Sequence, residues 1–113
     1  MFNYTTKTDE EILDLAKNGE YSATFNQYWI GNVRKGWSDF EMDREFVRIL
    51  AMYTRDPVQI DSLFRKSGRF RPDWDKGNGM STYGRRVING VLMAMEDVPV
   101  CDAVPKVEPE LKP

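Results

Sequence analysis

Apolar residues recur along this chain at spacings of three and four, and four of the five such runs are preceded by a residue that can cap a helix. Thr8 and Glu11 form a capping box ahead of Ile12, Leu15 and Ala16, and Asn18-Gly19 supplies a left-handed stop, predicting a first helix over about 9–18. Tyr21, Phe25, Tyr28 and Trp29 make an aromatic stripe on a short second helix, expected to face the core. Residues 32–37, with Gly31 and Gly36 near their ends, read as loop. Ser38 and Glu41 form a second capping box, and Phe40, Phe46, Val47, Ile49, Leu50, Ala51 and Tyr53 give the long central helix a wide apolar face through Thr54. A fourth start lies at Asp56-Pro57-Val58-Gln59, with an acid to cap, proline at the first helical position and Gln59 to close the box. Ile60, Leu63 and Phe64 are its inner face, and Ser67-Gly68 ends it. Residues 69–79, with Pro72 and two glycines, read as a long loop. Ser81 or Thr82 caps a last helix carrying Val87, Ile88, Val91, Leu92 and Met95.

No segment alternates as a strand does, so the expected fold is all-α: a small bundle of about five helices with one long basic loop before the last. A chain of 113 residues supports one such domain, placed at 1–97. Residues 98–113 hold four prolines, several acids and no period, and are expected to be a disordered tail.

Composition removes much chemistry. With no histidine and one cysteine, histidine-based acid-base catalysis, Ser-His and Cys-His nucleophiles and Cys/His zinc sites are excluded. A carboxylate-only metal site stays open, and Asp73 and Asp75, two apart, are the acids to consider for it, without the third acid and the strands of polymerase sites. One cysteine permits no intrachain disulfide, and no apolar run has the length of a secretory leader or of a membrane span. The expectation is a cytoplasmic protein with no membrane partner.

The net charge of −2 conceals an uneven distribution. Residues 1–20 and 96–113 are both acidic, whereas residues 65–86 set Arg65, Lys66, Arg69, Arg71, Lys76, Arg85 and Arg86 against only Asp73 and Asp75. Aromatics are interleaved, and the run leads into a helix start. Guanidinium groups pair with phosphate oxygens, aromatic faces stack on bases, and free N–H groups at a helix start accept an anion. Arg65, Lys66, Arg69, Arg71, Lys76, Arg85 and Arg86 are therefore candidate nucleic-acid or nucleotide contacts, Trp74 and Tyr83 candidate stacking residues, and Ser81 and Thr82 a candidate phosphate cradle. Plainer roles stand beside these. Trp74 can instead anchor the loop on the bundle, with Asp75 partnering an arginine, and Arg65 and Lys66 can simply favour the negative end of their helix.

The residues Asp56 to Gly68, ending Leu63-Phe64-Arg65-Lys66-Ser67-Gly68, together with Arg71-Pro72-Asp73-Trp74-Asp75 and Thr82-Tyr83-Gly84, resemble a known family. It is the helix-bundle domain found behind the catalytic core in primase-polymerases and replication primases of plasmids, phages and related mobile elements. The likeness covers roughly residues 9–95. It departs from the pattern at Asp73, where the family often has lysine. The resemblance implies a non-catalytic module that engages single-stranded DNA template and the initiating nucleoside triphosphate, with Mg2+, and presents both to a polymerase active site. It implies binding roles for Arg65, Ser67, Arg71, Trp74, Thr82 and Tyr83, no cofactor of the chain's own, and a polymerase or primase catalytic subunit as partner. The chain is expected to be a free-standing accessory subunit. The alternative is an adaptor that docks a replication protein through the aromatics around Trp29 and Trp37 or through the tail, without touching nucleic acid.

Overall fold

Four of the five helix starts are fixed by a side chain, of Thr8, Ser38, Asp56 or Thr82, that satisfies an otherwise free backbone N–H group. The computed structural model describes residues 7–78 and 81–100. In it, α1 spans Asp9–Asn18, α2 Ser22–Trp29, α3 Asp39–Ala51, α4 Pro57–Lys66 and α5 Tyr83–Ala94, and the described residues contain no strand. The all-α bundle expected from the periodicity is the fold. Both capping boxes are closed: Thr8 Oγ1 accepts from Glu11 N at 3.1 Å and Glu11 returns the bond at 2.8 Å, and Ser38 and Glu41 do the same at the same distances.

Two local expectations are corrected. Gln59 closes no box. Its amide reaches across to Lys7 O at 2.8 Å and Asp9 Oδ1 at 3.0 Å, which ties the start of α4 to the start of α1. Gly19 is not left-handed, with φ −93° and ψ −166°. Glycine is required there for space, since a Cβ would collide with the Tyr53 hydroxyl and the Leu15 carbonyl.

The core is a chain of rings bordered by aliphatic side chains. Trp29, Phe25, Phe46, Phe64, Trp74 and Tyr83 follow one another with centroid separations of 5.9, 5.4, 5.6, 3.6 and 5.9 Å. The aromatic stripe of α2 is only partly interior: Phe25 and Tyr28 are buried, Trp29 is half-buried and Tyr21 is exposed. Phe40, expected on the apolar face of α3, stands 51% exposed.

The region read as a long loop has local structure of its own. It contains a 3-10 turn at Pro72–Asp75, and the Trp74 ring stacks on Phe64. The turn lies against α5, and Gly84 gives it room, because a Cβ there would collide with the Trp74 ring. α3 and α5 run side by side in the same direction. Asp43 meets Tyr83 near their starts, and Arg55, just beyond α3, bonds Met95 O at 3.0 Å at the end of α5. The tail expected at 98–113 falls, from residue 101 on, outside the described residues.

Candidate functional site

Asp43 sits in the second turn of α3, on the inward face that carries Phe46 and Val47, and is fully buried. An ionised carboxylate in that position is strongly destabilising unless it is paired and hydrogen-bonded. Five bonds meet it. Its Oδ1 accepts from Arg69 Nε at 3.0 Å, Arg69 Nη2 at 2.8 Å and Arg71 Nη1 at 3.2 Å. Its Oδ2 accepts from Arg71 Nη2 at 2.8 Å and from the Tyr83 hydroxyl at 2.6 Å. Arg69 also donates to Asp39 Oδ1 at 3.0 Å, so two guanidinium groups face two carboxylates and the charges balance. The pairing with Asp43 raises the Arg71 pKa, and the bond to Arg69 lowers that of Asp39. Burial, and then the Asp43 carboxylate, push the Tyr83 phenol above its ordinary value.

A second clamp holds the other side of the loop. Arg65 donates from Nε to Asp61 Oδ2 at 2.7 Å and from its two terminal nitrogens to Asp75 at 2.9 and 2.5 Å. Trp74 Nε1 donates to the other Asp61 oxygen at 2.7 Å. The Arg65 pKa is raised by Asp75 and Asp61, and that of Asp75 is lowered by Arg65. The loop is thereby fixed to α3 through Asp43 and to α4 through Asp61.

These pairings sort the residues expected to bind. Arg69, 4% exposed, is an interior strut. Ser67 is buried and shapes the turn, donating to Phe64 O at 2.7 Å and accepting from Arg69 N at 3.1 Å. Trp74 is 1% exposed, so its ring anchors the loop and offers no face to a base. Arg65 is held between two aspartates, and Lys66 pairs with Asp9 at 2.8 Å on another part of the surface. The cradle expected at Ser81 and Thr82 is largely occupied: Ser81 N donates to Asn78 O at 2.7 Å, and the Thr82 hydroxyl caps α5 by accepting from Arg85 N at 3.3 Å. Asp73 and Asp75 turn to different partners, Lys76 and Arg65, and among the described residues no group of three or more His, Cys, Asp or Glu is placed to hold a metal ion.

Arg71, Lys76, Tyr83 and Arg86 do come together. With Asp39, Phe40 and Asp73 they line an open groove of about 330 Å³ between the start of α3, the loop and the start of α5. Arg71 keeps 26% of its side chain exposed there, Lys76 74%, and Arg86 is exposed while donating to Ser81 O. Arg85, the next residue along, is exposed with no side-chain partner among the described residues. The groove mixes three cations, two acids and two aromatic side chains, a set that can pair with an anion and hold a flat ring at one place.

Sequence reasoning overlooked Phe40 as a groove residue and Asp39, Asp43 and Asp61 as the anchors. A signal for Asp43 was present: it lies three after Phe40 and three and four before Phe46 and Val47, so it is an acid on an apolar helix face and needs cationic partners.

By fold and site the protein is a small helical module whose groove is framed by buried ion pairs. It belongs to the NrS-1 polymerase HBD domain family, whose model matches residues 40–100 and so takes in α5 and, apart from Asp39, the groove and both clamps. Over 82 residues, 72% of its length, the chain is 33% identical to a DNA primase-polymerase of Nitratiruptor phage NrS-1, and the matched stretch is 10% of that protein. The chain thus corresponds to about a tenth of this relative. No solved structure matches it. No helix among the described residues is long and apolar enough to cross a membrane.

Proposed function

We propose that the chain acts in primer synthesis during replication of a mobile element's DNA, as a module that binds single-stranded template and the initiating nucleoside triphosphate and presents them to a polymerase active site. The observation that carries this reading is the groove: Arg71, Lys76 and Arg86 converge beside Phe40 and Tyr83, in a chain whose relative is a primase-polymerase. The cations would neutralise phosphate oxygens, and the ring edges would pack on a base. Asp39 and Asp73, unsuited to phosphate, would accept hydrogen bonds from sugar hydroxyls or base amino groups and so fix which way the ligand lies. Mg2+ would arrive with the triphosphate, and bond formation would belong to the partner's metal site. The chain's part is positioning, which alone supplies a large share of the rate when two substrates must meet. A rigid frame suits that task, and the Asp43 and Asp61 clamps supply it.

Primer synthesis by a partner polymerase, with and without this chain, tests the proposal. Wild type should stimulate synthesis and Arg86→Ala should lose most of the stimulation while keeping its helical circular dichroism. Equal stimulation by both would overturn the groove as the working surface. The adaptor reading is favoured by one feature, the exposure of Ile30 (66%) and Val33 (68%) on the α2–α3 connection. An adaptor would bind the polymerase yet show no affinity for labelled single strands at any salt concentration.

A further inference from the structure

Five of the seven cations in residues 65–86 pair with carboxylates, Arg71 and Lys76 among them while remaining partly exposed in the groove, and Arg85 and Arg86 have no carboxylate partner among the described residues. Uncommitted charge is found elsewhere. On α3, Phe40, Arg44 and Arg48 follow at intervals of four along the outer face, all exposed. Neither arginine has a side-chain partner among the described residues. The acids that should neutralise them are engaged: Glu41 closes the capping box with Ser38, and Glu45 accepts from the Tyr28 hydroxyl at 2.5 Å and from Arg34 at 2.8 Å. Phe40 lines the groove together with Arg86, so this stripe begins where the groove opens. Arg44 and Arg48 continue it for about two further turns, about 12 Å from Phe40.

We infer that the outer face of α3 is a second part of the binding surface, along which a single strand leaving the groove passes Phe40 and lays its phosphates on Arg44 and Arg48. This rests on the nucleic-acid reading of the groove. Two free guanidiniums one helical turn apart, continuous with an aromatic at the groove mouth, match a charged backbone carrying flat bases. They match an apolar protein helix less well, because the stripe offers one apolar side chain in three.

The test is fluorescence anisotropy with labelled oligodeoxythymidylates of about 4 and about 16 nucleotides, using the full chain and an Arg44→Gln/Arg48→Gln variant. Both positions are exposed, and unchanged circular dichroism verifies the fold. The variant should bind the short strand as wild type does and lose the affinity gained on lengthening. Two lost phosphate contacts lower the salt slope by about 1.4, so between about 50 and about 200 mM salt the long-strand affinity of wild type should fall about sevenfold more than that of the variant. Equal long-strand affinity and slope would overturn the α3 path, and the groove reading would survive if Arg86→Ala weakened both strands. Loss of polymerase binding with strand binding intact would also overturn it, making the stripe a protein contact. No binding of either strand by wild type would overturn the path and the groove reading together.

Discussion

Arg71 meets Asp43 with both terminal nitrogens, at 3.2 and 2.8 Å, so that a fully buried carboxylate of α3 sets the position of a guanidinium in the groove. The same carboxylate holds the Tyr83 hydroxyl at the start of α5 and the interior Arg69. Three segments distant in sequence therefore depend on a single side chain.

Asp43→Asn should destabilise the protein by about 3–5 kcal/mol, because it leaves two guanidinium groups facing a neutral amide in the interior. Urea denaturation measures this. A midpoint equal to that of wild type would mean that the cluster does not bear on stability.

Two glycines of α5 should respond in opposite directions to the same change. Gly84→Ala should destabilise by about 1–3 kcal/mol, since its methyl group collides with the Trp74 ring. Gly90→Ala, where the added methyl meets nothing, should stabilise by up to about 1 kcal/mol through helix propensity. Thermal denaturation of both variants checks the pair, and a stabilised Gly84→Ala would contradict the packing of the turn.

The five helices, and every start but that of the uncapped α2, were readable because caps and periodicity are local: Thr8 with Glu11 and Ser38 with Glu41 act over three residues. The pairings of the basic segment were not, since Asp43 lies 26, 28 and 40 residues from Arg69, Arg71 and Tyr83. Charge density along the chain marks where cations are abundant; it does not show which of them carboxylates from other helices consume. Trp74 illustrates the same limit, because a tryptophan among arginines reads alike whether it faces a base or Phe64. Gly19 shows it for the backbone, where Asn-Gly suggests a left-handed stop and the reason for glycine is the distant Tyr53.

Acid should unfold the protein through its paired aspartates. Asp9, Asp39 and Asp75 have native pKa values below the ordinary 3.8, lowered chiefly by Lys66, Arg69 and Arg65 respectively. As pH falls the unfolded chain takes up these protons before the native one does. The stability they contribute is therefore complete above 3.8 and disappears as pH drops through the lower native values. Urea midpoints should stay level from neutral pH down to about 5 and fall steeply below about 4. A midpoint that rises on acidification below 4 would contradict these pairings.

Whether the groove is the binding surface is tested most directly by mapping it. In a two-dimensional amide NMR titration with single-stranded oligodeoxynucleotide and Mg-ATP, shifts should be largest at Phe40, Arg71, Lys76, Tyr83 and Arg86, while Glu10, Asp14 and Lys17 on α1 stay in place. Shifts absent throughout, or confined to α1 and the Ile30–Trp37 connection, would contradict the account.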